Sequence, residues 1–257
     1  VTTPIRFDAP AFARAWLSVA QASGTDPEIP QLDRTVAIEH YPGSGVRLVA
    51  TDRYMLLTAW IPELSAQVDA ESSGEPALDE MPERTLVTKD SDVRGKGLLA
   101  YVHKLARRMA KEMECGVQDL PVGKIELRVT FDVRIPSDEG ADVPLDGLEP
   151  CYVVLEIPDV ESVYLDVIEM TYPDWRKIQH DKQPETTDTI ALDLERVNDL
   201  AGLRQWNLGP IIWTFQGAES CAFVDVQGSD PHVSGLVMPV KWLSPEPQGD
   251  ADAEAAA

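Results

Sequence analysis

Residues 47–60, RLVATDRYMLLTAW, set two apolar runs on either side of a polar corner. Leu48, Val49 and Ala50 lead in, Thr51-Asp52-Arg53 turn, and Met55, Leu56 and Leu57 lead out. Asp and Thr side chains bond nearby backbone in turns, so a hairpin accounts for these residue types. Arg53 and Tyr54 beside the pair open a second reading, a surface corner that helps build a binding site.

Outward from this corner, one pattern recurs three times: a strand, a helix, then three strands. In the first copy IRFD (5–8) is a strand whose Asp8 can cap a helix. The following APAFARAWLSVAQAS places Phe12, Trp16, Val19 and Ala20 at helical spacing. TVAIEHY alternates with period two, and PGSG turns the chain into the quoted hairpin. Residues 64–84 are rich in acids, Ser, Gly and Pro and read as a long solvated loop. The second copy runs from a strand at 85–90 through a helix at about 97–114 and a strand at 124–135. An acidic loop at 136–150 separates these from the closing strands YVVLEIP and SVYLDVIEM. In the third copy TIALDL (189–194) reads as a strand and 195–206 as a helix with Val197, Leu200 and Leu203 on one face. PIIWTFQG, ESCAFVDVQ and HVSGLVMPVKW follow as strands, and 244–257 reads as a disordered acidic tail. The implied organisation is a two-module domain over 1–178, a linker at 179–188 and a lone third module over 189–243. The fold class is α+β, with helices on one face of antiparallel sheets.

Composition narrows the function. The 257 residues carry 44 acids against 22 bases, a net charge of -22. Such a surface repels nucleic acid and anionic membranes except at a local basic patch. That patch is the helix GLLAYVHKLARRMAKEME (97–114). Lys104, Arg107, Arg108 and Lys111 share one face, with Leu98, Val102, Leu105, Met109 and Met113 expected opposite. The basic stripe reads either as a solvated helix face or as a phosphate-facing one. Cys115, Cys151 and Cys221 are odd in number and widely spaced, which suits a reducing cytoplasm rather than a disulfide framework. No apolar run nears the roughly 18 residues that span a membrane, and the N-terminal residues lack a signal pattern. His40, His103, His180 and His232 form no metal-binding spacing, RGKG (94–97) lacks phosphate-loop spacing, and no nucleophile elbow is present. An acid-rich metal hydrolase therefore has no motif support, and the expectation is a non-enzyme with no cofactor and no metal.

LVATDRYMLL (48–57), TYPDWRKI (171–178) and SGLVMPVKW (234–242) close or follow the three copies in order. In these places they resemble the bacterial β sliding clamp of DNA polymerase III. That family carries an ATDGHRL-like corner, an FPDYRR-like link and a VMPMRL-like final strand. The resemblance implies a DNA-clamp fold whose helices line a hole around duplex DNA, so that Lys104, Arg107, Arg108 and Lys111 face phosphates. It also implies a greasy groove for a short linear motif of a DNA polymerase or clamp loader. Thr51, Arg53, Tyr54, Met55 and Leu56 would supply its floor and edge. Pro173, Trp175, Lys177 and Ile178 would form one wall, and Val237, Met238, Pro239 and Val240 another. Arg53 and Tyr54 stand where the family usually has Gly and His. The family's subunit has six modules and this sequence shows three, so the third is expected to find its complement in another copy, making a homo-oligomer. The competing reading keeps the fold without the ring: an adaptor or regulator that binds partners or DNA without encircling it.

Overall fold

In a computed structural model the first module comprises β1 (Ile5–Asp8), α1 (Ala9–Val19), β2 (Thr35–Tyr41), β3 (Gly45–Thr51) and β4 (Met55–Pro62). The structure describes residues 3–24, 28–29, 32–65, 75–77, 80–89, 93–134, 151–168, 171–177, 190–206, 209–215, 217, 220–228 and 231–240. Asp8 ends β1 and caps α1, accepting the Ala11 N–H at 3.0 Å, while its other oxygen accepts the Gly123 N–H at 2.8 Å. Pro10 fits the first turn, where its missing N–H has no helical partner to lose. The second module repeats the order with β5 (Arg84–Lys89), α2 (Val93–Glu112), β6 (Glu126–Arg134), β7 (Cys151–Ile157) and β8 (Glu161–Ile168). The third contributes α3 (Leu194–Ala201), β9 (Ile211–Thr214), β10 (Ala222–Val226) and β11 (Val233–Val237). The linker and the tail expected from the sequence, like the loop at 136–150, lie outside the described residues.

All eleven strands join one antiparallel sheet, in the order β1-β6-β7-β8-β5-β2-β3-β4-β11-β10-β9. Each of the first two modules lends its first strand to the other: β1 pairs with β6, and β5 pairs with β2. Within each module the chain after the last strand returns to the first. β8 forms a short ladder with β5, and the Leu64 N–H donates to the Arg6 carbonyl at 2.9 Å. The third module joins through β11, which lies along β4 from Val233↔Ala59 to Val237↔Met55. A Cβ on Gly235 would sit 1.9 Å from the Leu56 carbonyl oxygen, so only glycine lets β11 approach β4 there.

One expected strand does not form. Residues 190–193 are irregular, and 189 lies outside the described residues. The topology gives the reason: a first strand needs the second strand of a sister module, and the third module has no sister among the described residues.

The main core lies on the helix side of the sheet, where Phe7, Phe12, Trp16, Ile38, Leu48 and Leu57 are sealed from solvent. Each such side chain stabilises the fold by about 1.5–3 kcal/mol relative to exposure. Every residue of α1 is buried, Arg14 included, so this helix presents no side chain to water. The stripe on α2 differs from the expected one. Leu98, Leu99, Val102, Ala106 and Ala110 are buried, Leu105 and Met109 are half-buried, and Met113 is 49% exposed beyond the helix end. Small alanines in the stripe suit the packing of α2 on the alanine-rich α1. No described helix is long and apolar enough to cross a membrane.

His103 is also buried on α2 and meets Trp206 of the third module edge-on, with ring centroids 5.1 Å apart. Burial, then the charges of Arg14 and Arg107, lower its pKa from 6.5 to about 4. Between those values the unfolded chain holds a proton on this ring that the folded chain does not. Stability from the neutral ring is therefore complete above about pH 6.5 and lost as pH falls towards 4. Melting temperatures followed from about pH 7 to pH 4.5 should fall further for the wild type than for His103→Gln, which cannot titrate.

Candidate functional site

The corner at 51–55 is held by its own side chains. Asp52 Oδ1 accepts the Tyr54 and Met55 N–H groups at 2.9 and 2.7 Å, and the Thr51 hydroxyl oxygen accepts the Arg53 N–H at 3.2 Å. Arg53 has φ +82°, a conformation that favours glycine. The other carboxylate oxygen of Asp52 pairs with the guanidinium of Arg196 on α3. Arg196 also lies over the Tyr54 ring at 5.4 Å, and the Met238 N–H donates to the Tyr54 carbonyl at 2.7 Å. Asp52 is thus both a turn residue and an anchor for the third module. The first role is legible in the sequence, and the second is not.

On the sheet face away from the helices, a second apolar cluster joins Ala37, Val49, Leu56, Trp175, Phe223 and Leu236. Tyr172, Cys221 and Met238 border it, each half-buried, with the Cys221 and Met238 sulfurs 3.0 Å apart. Three of the expected groove residues, Leu56, Trp175 and Met238, therefore meet. Met55 and Val237 do not: they are directly opposed on β4 and β11 and both point into the main core. Side chains alternate along a strand, so Leu56 can share a face with Leu236 but not with Val237. Once the β4–β11 register is known, that alternation places Leu236 beside Leu56.

The remaining expected residues differ in exposure. Thr51 is buried, while Arg53 and Tyr54 are exposed. Pro173 and Lys177 are exposed, and Lys177 pairs with Asp174 at 3.1 Å. Pro239 is half-buried and Val240 exposed. Ile178 lies outside the described residues.

The 171–177 wall is pinned by a buried carboxylate. Glu39 of β2, 3% exposed, accepts from Arg176 Nη1 at 2.8 Å, from Arg176 Nη2, and from Trp175 Nε1 at 2.9 Å. Arg47 of β3 lies 4.0 Å from Glu39, donates to the Tyr41 hydroxyl at 3.0 Å, and reaches Glu75 and the Pro76 carbonyl at 3.3 and 2.8 Å. Part of the expected solvated loop is therefore tied to the sheet. Burial disfavours the Arg176 charge, but hydrogen bonding and the charge of Glu39 hold its pKa above the ordinary value. Burial likewise pushes the Tyr172 phenol up, and its hydroxyl donates to the Val49 carbonyl at 3.4 Å.

Lys104, Arg107, Arg108 and Lys111 are all exposed on α2. Arg108 pairs with Glu112 at 3.0 Å, which reduces the positive charge of the stripe.

No protein-family model and no curated protein matches the sequence. Solved structures match the fold. A DNA polymerase sliding clamp from Pseudomonas aeruginosa superposes with TM-score 0.57 at 8% identity, over 93% of this chain and 67% of that one. The β subunit of DNA polymerase III from Thermotoga maritima gives 0.55 at 13%, over 94% and 66%. The corresponding subunit from Borrelia burgdorferi, in complex with a natural product, gives 0.55 at 10%, over 93% and 63%. The α+β fold of this chain is thus that of the bacterial sliding clamps, and the chain spans about two thirds of their length.

Arg176→Leu would leave Glu39 buried without its main partner, at a cost of about 3 kcal/mol or more. Lys177→Ala breaks only an exposed pair and should cost less than about 1 kcal/mol. Urea unfolding of the two variants beside the wild type would measure the contrast.

Proposed function

We propose that this chain is a clamp-type tethering platform without catalysis. Its α2 face would touch the phosphates of duplex DNA, and its opposite face would hold a short linear motif of a DNA polymerase or clamp loader. The observation that carries this reading is the second apolar cluster, where β4, the 171–177 segment and β11 meet; its half-buried border at Tyr172, Cys221 and Met238 is the recess proposed for the peptide. Leu56, Trp175 and Met238, more than a hundred residues apart at the extremes, converge there apart from the main core, the first two buried and Met238 half-buried. An apolar concavity bordered by a few polar groups suits a short peptide. Met238 suits an adaptable surface because its thioether is flexible and polarisable. The fold shared with sliding clamps supports the reading, as does a basic stripe on a chain of net charge -22.

Lysine and arginine contacts to phosphate carry no sequence information, so such a platform would hold DNA without reading it. Work in the cytoplasm as a homo-oligomer belongs to the same proposal, since half-covered modules need completion.

Two experiments test the two faces. Met238→Ala should keep near-native thermal stability yet lose about 1–3 kcal/mol of affinity for a glutamine-leucine-phenylalanine type peptide, measured by calorimetry. A wild type that ignores the peptide, with a variant that merely melts early, would return the recess to ordinary packing. Changing Arg107, Arg108 and Lys111 to Glu should weaken duplex binding whatever its sequence. It should also flatten the salt dependence, by a slope of about 0.9 for each phosphate no longer neutralised. Wild-type protein that never retains duplex at low salt would overturn the DNA half of the proposal.

A further inference from the structure

The third module ends the sheet at β9, whose outer edge has no strand beside it among the described residues. The first two modules define what belongs there. β2 and β6 hold the same position as β9, and each takes the first strand of the sister module, β5 and β1 respectively. The third module also has the counterpart of a first strand, residues 190–193. The Val240 N–H donates to the Ala191 carbonyl at 2.9 Å, as Leu64 does to Arg6 in the first module. Asp193 then accepts the Glu195 N–H at the start of α3, as Asp8 does for Ala11 at α1. The segment is in place on one side and lacks its ladder on the other.

We propose that two copies of this chain pair their third modules about a two-fold axis, residues 190–193 of each adding to β9 of the other. One such pairing fills the open edges of β9 and of 190–193 in both copies, as a closed two-fold contact does. The register follows from the internal repeats. The last residue of β1 opposes the first of β6 (Asp8↔Glu126), and the last of β5 opposes the first of β2 (Lys89↔Thr35). Matching faces as in those repeats, where core-facing Phe7 opposes Leu127, the core-facing Leu192 opposes Ile211, Ala191 opposes Ile212, and Ile190 opposes Trp213.

The helix side supports the same partner. In the first two modules α1 and α2 pack on each other over the shared sheet. Beside β9 there is instead an open trough of ≈ 590 Å³, lined by Val197, Leu200, Ala201, Ile211 and Trp213. Leu194 is 80% exposed, and on the other face of β9 Ile212 is 44% exposed. A two-fold partner would bring its own α3 over this trough while its 190–193 segment covers the edge. An uncovered apolar edge strand is otherwise an aggregation hazard.

This inference deepens the homo-oligomer part of the functional reading and needs no DNA. Light scattering on the full chain, without DNA, should give a dimer or a multiple of one. Ala191→Cys/Ile212→Cys, oxidised, should run as a disulfide-linked dimer, whereas neither single variant should. Ile211→Pro, which removes an outward-facing N–H of the β9 edge, should shift the protein towards monomer. A wild type that stays monomeric at about 100 µM, or a dimer that the paired cysteines do not trap, would overturn the inference. A monomer that still retains duplex at low salt and binds the peptide sinks this inference alone. A trapped dimer that does neither sinks the DNA and peptide reading alone.

Discussion

Edge completion governs this molecule. A strand buries its backbone groups only by pairing on both sides, and here no module satisfies its own strands. β1 is needed by β6, and β5 by β2, so the first two modules hold one another in place. The third is held by the same rule, through β11 along the free half of β4. The recess, the corner and the basic helix all take their positions from these loans. Where the rule is unmet, at 190–193, the expected strand is missing even though its sequence is as apolar as that of β1.

Module repeats, strand order within each module and the α+β class could be read from period-two runs and turn residues, because those patterns report local backbone choices. The side of the sheet that each residue faces is a register property, and the sequence around 237 shows its limit. LVMPV is a continuous apolar run in which Leu236 and Val237 are equally plausible groove residues. Only the pairing with β4 sends Leu236 to the recess beside Leu56 and Val237 to the core beside Met55. Leu56, Trp175 and Met238 were legible through family likeness, whereas Val49 and Phe223 needed the three-dimensional register. The Glu39 network could not be read at all, since Arg47, Arg176 and Glu39 are scattered through the chain. A single acid inside the strand run TVAIEHY was the one available hint.

The second apolar cluster is flanked by polar fixings. Glu39 holds Trp175 and Arg176 from one side, and Asp52 holds the turn and Arg196 from the other. A buried carboxylate is costly unless its partners are arranged around it, so Glu39 gives little net stability and much positional definition. Trp175 illustrates the result. Its indole N–H is bound to Glu39, and Arg47 and Arg176 lie over its ring at 5.3 and 4.6 Å. Its remaining surface is committed to the apolar cluster. Met238, half-buried, packs against the same cluster.

Arg53 shows how the corner and the third module depend on one another. Its φ of +82° costs a non-glycine residue roughly 1–2 kcal/mol, so the sequence alone would not choose it. Asp52 provides the compensation by accepting two N–H groups across the turn, which fixes the backbone direction at the next residues. The same carboxylate is charged towards Arg196, and Tyr54 lies within reach of the guanidinium groups of both Arg53 and Arg196. Turn geometry, the docking of α3 and the rim of the recess are thus three consequences of one aspartate. An asparagine could still cap the turn but would lose the charge that holds Arg196, so the aspartate is explained by assembly of the third module rather than by the hairpin.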